Sequence, residues 1–257
     1  MLFYRAMILR FRHSLLSKTL AIASLLGTGV LLEGCRHESV VPTPVVDYYP
    51  IEEGTYRTYA VSDTLWSKGV ATPTNYQLRE AVTEQFTDAA GQPAYRVLRA
   101  RRVTSADAWV DDSVLVVQHQ AQAILMTRDN VRTIELIYPL RASKTWKKYA
   151  FTTYRPDSVR AFDATLERPF TTPGATPKTY ATTAIARDLQ PIEANDGLLR
   201  RGGYLQVFAQ GVGPVLRRRY AYETFYTLSS NGASVITPNV IQIGHSRLEV
   251  LIDSGKL

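Results

Sequence analysis

Few of the residues able to do chemistry are spaced to do it together. The chain of 257 residues holds four histidines and a single cysteine. His37, His119 and His245 lie past residue 34, far apart, with no H-x-H or H-x-x-x-H spacing. Zinc needs three or four converging donors, so these read as isolated edge or surface histidines and no metal is expected. There is no G-x-S-x-G elbow and no local frame pairing a serine with a base. Asp111 and Asp112 are adjacent on a strand-like run, which points them to opposite faces. Glu80 and Glu84 share a face, but roughly 13 Å apart at about 3.3 Å per residue, whereas glycosidase pairs lie within about 5–9.5 Å. Gly211-Val-Gly213 lacks the third glycine and the following helix of a dinucleotide fingerprint, and its β-rich flanks make it a bend between strands. No catalytic residue and no cofactor is assigned, and a non-enzyme is expected.

Cys35 carries the one chemical assignment. Arg5, Arg10, Arg12 and Lys18 give a basic entry segment, and residues 19–32 follow without a charge, rich in Leu, Ile, Ala and Gly. A spanning helix needs about 20 apolar residues, so this run suits a secretory signal better than an anchor. Leu32-Glu33-Gly34-Cys35 resembles the lipobox cut by lipoprotein signal peptidase. Leu32 and Gly34 occupy its aliphatic and small recognition positions, and Glu33 departs from the small uncharged residue usual between them. The resemblance implies a signal peptide over 1–34, starting at Met1 or Met7, and a membrane anchor through covalent lipid, palmitate included, on Cys35. One acyl chain binds marginally at about 0.8 kcal/mol per methylene, while two or three hold durably. No other thiol remains for a disulfide, so the fold must rest on core packing.

Residues 35–257 are enough for one large domain or two small ones, with a core that needs no staples. Four of the 30 basic and one of the 23 acidic residues lie in the leader, so a net charge of +7 falls to +4. Such a surface suits anionic head groups or polysaccharide. Arg217-Arg218-Arg219 precedes Tyr220 and Tyr222, and Arg99, Arg101 and Arg102 lie in an earlier run. On a strand, Arg218 shares a face with Tyr220, Tyr222 and Tyr226, while Arg217 and Arg219 face the other way. Basic residues among aromatics can bind single-stranded nucleic acid. An exported protein rarely meets any, so no nucleic-acid partner is expected. A solvated sheet face, or contact with phospholipid or lipopolysaccharide phosphates, is left.

These residues must be positioned by strands. Residues 36–47 read as a tether, since Pro42 and Pro44 favour extended geometry reaching about 35 Å at roughly 3.1 Å per residue. From residue 48, β-patterning dominates one domain, 48–257. Tyr76, Leu78, Val82 and Phe86 alternate with Gln77, Arg79, Thr83 and Gln85, a period of two. Gly91 in the 88–93 cluster turns this run toward 95–103 as an antiparallel partner. Further runs are 109–118, 121–127, 131–138, 149–155, 159–166, 180–187, 203–209 and 214–228. Asn231-Gly232 has the chemistry of a two-residue hairpin and leads into 234–241, and 248–252 would close the sheet. Gly54, Gly91, Gly211, Gly213, Asn231 and Gly232 are the expected turn residues. The fold expected is all-β, an antiparallel, strongly curved sheet or incomplete barrel, with one short helix over 181–189 left open.

Three segments resemble a known group. Tyr48-Tyr-Pro-Ile-Glu-Glu-Gly54, with Tyr56 and Tyr59 behind it, is similar to the Y-[FY]-P-[LI]-x-x-G opening of uncharacterised lipoproteins of Gram-negative environmental bacteria. Tyr138-Pro-Leu140 with Thr145-Trp146 resembles that group's FP…TW segment. Phe208-Ala-Gln-Gly-Val-Gly-Pro-Val215 resembles its YAxGVGLV strand–turn–strand, with Phe208 for tyrosine and Pro214 for an apolar residue. The group implies no activity, catalytic residue or ligand. By the same comparison, Arg36 is not the aspartate that retains some lipoproteins at the inner membrane, and no acidic run follows Cys35. The periplasmic face of the outer membrane is the implied address. A looser likeness to lipoprotein-carrier-like half-barrels implies a concave apolar face. Two functions follow as expectations. One is a non-catalytic binding module that contacts envelope protein or polysaccharide. The other is a carrier sheltering an apolar or lipid ligand, which needs a cavity of at least about 300 Å³ lined by apolar side chains.

Overall fold

The computed structural model describes residues 47–153, 159–189 and 199–257. All of them belong to the compact unit Val45–Leu257. Leu32, Gly34, Cys35, His37 and most of the tether lie outside the described residues.

Among the described residues, alternating apolar and polar side chains, broken by short polar turns, give thirteen strands. They are β1 (Thr55–Ser67), β2 (Val70–Thr87), β3 (Pro93–Arg102), β4 (Val110–Gln120), β5 (Ala123–Arg128), β6 (Val131–Ile137) and β7 (Thr145–Lys147). There follow β8 (Val159–Phe162), β9 (Arg168–Thr171), β10 (Thr179–Asp188), β11 (Arg200–Ala209), β12 (Gly213–Leu228) and β13 (Ser234–Lys256). The sheet order is β6-β5-β4-β3-β2-β1-β13-β12-β11-β10-β8-β7, with β9 beside β10. Every pairing is antiparallel. The sheet curls until its two ends almost meet. There the Ile134 amide donates to the Lys148 carbonyl at 2.9 Å, and Trp146 Nε1 donates to the Ile134 carbonyl at 3.1 Å. The result is a nearly closed barrel.

Three expectations need correcting. Residues 181–188 of the segment 181–189 fall in β10, whose pairing with β8 and β11 makes them strand rather than helix. The β-branched Thr182, Thr183 and Ile185 suit a strand better than a helix. Residues 149–151 form a turn rather than a strand, and the strand lies just before them at β7. Residues 234–241 and 248–252 are not two strands but parts of β13, and they do not close the sheet. β13 sits mid-sheet, where the first and last strands pair from Thr55↔Lys256 to Trp66↔Gly244. Gly244 lies within β13, where its missing side chain lets the strand pass. A Cβ there would stand 2.8 Å from Tyr222 Cδ1 and 2.9 Å from the Ala221 carbonyl.

The turns also depart from expectation. Asn231-Gly232 does not form a two-residue turn. Ser229 and Ala233 close a three-residue loop, with Gly232 N–H bonded to the Ser229 carbonyl at 2.9 Å. Gly232 takes φ 80° at its end, the left-handed position of a bulged hairpin. The Asp88–Gln92 loop has the same bonding pattern, with Gly91 at φ 74°. Two-residue connections lie instead at Lys68-Gly69 (φ 51° and 81°), Asp129-Asn130 (φ 50° and 59°) and Ala121-Gln122.

One end of the barrel is apolar and filled. Val82, Val97, Val117, Ile124, Leu136, Trp146, Phe162 and Phe208 pack together there. Tyr48 and Tyr49, from the segment ahead of β1, are both 2% exposed within that cluster. The amide of Gly211, in the β11–β12 turn, holds this segment through the Asp47 carbonyl at 2.8 Å. Arg57 also grips it, bonding the Pro50 carbonyl and the Val212 carbonyl. Directly above this floor the inward side chains turn charged.

Candidate functional site

Above the floor, the inward positions of the same strands become charged. On β2 the inward set runs Leu78, Glu80, Val82, and across the pairing Glu80 faces Arg99 of β3. On the other side Arg217 of β12 faces Glu249 of β13. These four meet inside the barrel. Arg217 forks onto Glu80, Nη1 to Oε1 at 2.8 Å and Nη2 to Oε2 at 2.9 Å, and its Nη1 reaches Glu249 at 3.0 Å. Arg99 adds charge from 3.5 Å. Burial alone would raise the Glu80 pKa, but Arg217, Arg99 and Arg57 outweigh it and hold the carboxyl at about 2. The Glu80 and Arg217 partners stand 137 positions apart in sequence.

A second cluster spans the seam between β6 and β7. Glu135 accepts from Thr133 Oγ1 at 2.8 Å and from Arg160 Nη1 at 3.4 Å. Lys148 Nζ approaches it to 3.8 Å. Burial opposes ionisation here too, yet Lys148 and Arg160 bring the Glu135 pKa to about 2. Arg160 also faces Asp188 at 3.7 Å and lies over the Tyr204 ring at 3.7 Å from its centroid. Burial raises Asp188 and lowers Lys148.

Between the two clusters is a chamber of about 360 Å³. Arg99, Arg128, Lys148, Arg217, Arg219 and Arg247 outnumber Glu80, Asp129, Glu135 and Glu249 on its walls. The Arg219 side chain makes no ion pair or hydrogen bond among the described residues, although its backbone pairs in β12. It is exposed, because the chamber opens to solvent. It is nonetheless crowded enough that burial, then the neighbouring Arg247, lowers its pKa. Among the described residues the Arg128 side chain pairs with Asp129, at 3.6 Å.

The sequence-predicted residues fall as follows. Gly54, Gly91, Gly211, Gly213 and Gly232 all take positive φ. Gly213 also gives Arg57 room, since a Cβ there would stand 2.9 Å from its Nη2. Arg217 and Arg219 do face opposite Arg218, which stands 5.6 Å from the Tyr220 ring. Arg217, however, lies in the interior, so its side of β12 is not a solvated face. Glu80 and Glu84 do not share a face. A register shift between Val82 and Glu84 moves Glu84 outward, onto Arg96. Asp111 and Asp112 are both exposed. His119 stacks on Tyr138 at 5.9 Å between centroids. His245 is not isolated, as its Nε2 meets Asp63 at 2.6 Å. Among the described residues no three His, Cys, Asp or Glu side chains gather as a metal site.

Glu80, Arg99, Glu135, Arg217 and Glu249 were missed as a site. The available signal was a charge interrupting an apolar stripe, as Glu80 does between Leu78 and Val82. The chamber's lining likewise departs from the apolar concavity expected of a carrier. The chain matches no protein-family model, no curated protein and no solved structure.

Proposed function

We propose that this chain is a non-catalytic binding module of the cell envelope, anchored through lipid on Cys35 at the periplasmic face of the outer membrane. Its chamber takes a small anionic solute. The observation that carries this reading is the surplus of cations on the chamber walls, with Arg219 unpaired where solvent has access. A guanidinium offers planar, paired donors that match carboxylate and phosphate, and crowding by protein strengthens the attraction. The buried glutamates support binding over catalysis. Glu80 and Glu135 stay ionised down to about pH 2 and are committed to cations, so neither has a proton to give at neutral pH. The lipobox-like Leu32-Glu33-Gly34-Cys35 and the uncharged run before it support the anchor.

Two measurements test this. Inorganic phosphate or citrate should raise the melting temperature of the purified chain. A ligand at a hundred times its Kd adds about 2.7 kcal/mol. Sodium chloride at matched ionic strength should not, and equal effects from all three salts would contradict an anion site. Cys35→Ala should abolish labelling by radioactive palmitate and release the protein into the soluble fraction. Continued labelling would contradict the anchor.

A further inference from the structure

A second hollow, of about 660 Å³, lies beyond the chamber at the open end of the barrel. It is the next tier of the same concave face. On β3 Arg99 lines the chamber and Arg101 the hollow, and on β13 Glu249 lines the chamber and His245 the hollow. Positions two apart on a strand share a face, about 6.6 Å further along. Arg247, between Glu249 and His245, lines both spaces.

The two tiers differ in what they offer. The hollow presents Leu65, Val103 and Val110, which are 57%, 73% and 61% exposed. Its polar groups are largely engaged with one another. Asp63 accepts from Arg247 Nε at 2.8 Å and faces His245. Arg102 donates to Gln77 at 2.8 Å and to the Ser105 carbonyl at 3.0 Å. Asp107 takes the Thr104 amide at 2.7 Å. Arg101, exposed and like Arg219 without a side-chain ion pair or hydrogen bond among the described residues, stands at the hollow's rim and outside the chamber. What the hollow has to give a ligand is therefore apolar contact, and what the chamber has to give is the unpaired Arg219.

We propose that the solute is an amphipathic anion, a single acidic head with one alkyl chain. The head sits in the chamber at Arg219, and the chain lies along Leu65, Val103 and Val110. This rests on the reading of the chamber as an anion site, and it names the class of anion. It also accounts for the apolar side chains left open on β1, at the start of β4 and in the β3–β4 connection: their partner arrives with the ligand.

Titrations on the full chain separate the two readings. Decyl sulfate, below its micelle concentration, is expected to bind at least tenfold more tightly than inorganic sulfate. Octyl glucoside, which has a chain but no charge, is expected not to saturate. Arg219→Gln should weaken decyl sulfate and inorganic sulfate alike by about tenfold, and Arg101→Gln by much less. The exposed substitutions Leu65→Asp and Val110→Asp should remove the advantage of decyl sulfate while leaving inorganic sulfate unchanged. If the two anions bind equally, the chamber reading stands and the amphiphile is overturned. If Arg219→Gln affects neither anion, or neither binds, both readings fall. If phosphatidylglycerol vesicles are bound but decyl sulfate is not, anions are held on the outer surface and the chamber ligand is again overturned.

Discussion

The tall wall of the barrel and its seam solve the same problem, a charged group facing inward, with different tightness. In the wall, Glu80 and Arg217 form a two-bond fork, and Glu249 and Arg99 complete the set. The four strands that supply them run side by side or one apart in an unbroken sheet. At the seam, Glu135 meets Lys148 and Arg160 at 3.8 and 3.4 Å. Arg160 Nε and Asp188 Oδ1 find no hydrogen-bond partner there. Sheet continuity brings Glu80, Arg217 and Glu249 into hydrogen-bonding register, while Arg99 Nε, like the seam's atoms, is left without a hydrogen-bond partner. At the seam the Ile134–Lys148 and Trp146–Ile134 bonds align the edges, and longer-range attraction between charged groups adds to the joining.

The difference sets an order of effects. Glu80→Gln strands Arg99 and Arg217 in the interior and should cost about 3–5 kcal/mol, as breaking a buried pair does. Urea unfolding measures it, and a loss near zero would mean the wall cluster is not buried as described. Acid tests both clusters. The folded-state pKa of Glu80 and Glu135 is lowered to about 2, so below their ordinary value of about 4.5 the unfolded chain binds more protons. Their stabilisation is fully present above about pH 4.5 and is lost as pH falls toward 2. Glu80→Gln should flatten that decline.

Glu135→Gln should cost less than Glu80→Gln, about 2 kcal/mol. Its effect should be local, with hydrogen exchange quickening at Ile134 before it does in β1 or β13. Uniform quickening would erase the distinction between seam and wall. Gly91→Ala and Gly232→Ala force a left-handed φ on an ordinary residue and should each cost about 1–2 kcal/mol, with no change in ligand binding. The smallest effect on stability is expected from Arg219→Gln. Its charge is disfavoured where it stands, so removing it should change unfolding by no more than about 0.5 kcal/mol.

The all-β class and the β2–β3 hairpin were legible because Tyr76, Leu78 and Val82 alternate cleanly and Gly91 stands between the runs. The wall cluster was not legible, since Glu80 and Arg217 come together only through the pairing of β1 with β13 and β13 with β12. A bulge hid the rest. The register shift after Val82 reverses which side Glu84 faces, and a strict period of two carries no warning of that. At Asn231-Gly232 the dipeptide marked the hairpin but not its length, because Ser229 and Ala233 pair outside it. The strands β7 and β9, three and four residues long, are too short for periodicity to mark them.

Crystals of the chain soaked in selenate would test the chamber most directly, through the anomalous signal of the anion. The account predicts selenate inside the barrel, within hydrogen-bonding distance of the Arg219 guanidinium. Selenate found only on the outer face of the sheet, with the chamber holding none, would contradict it.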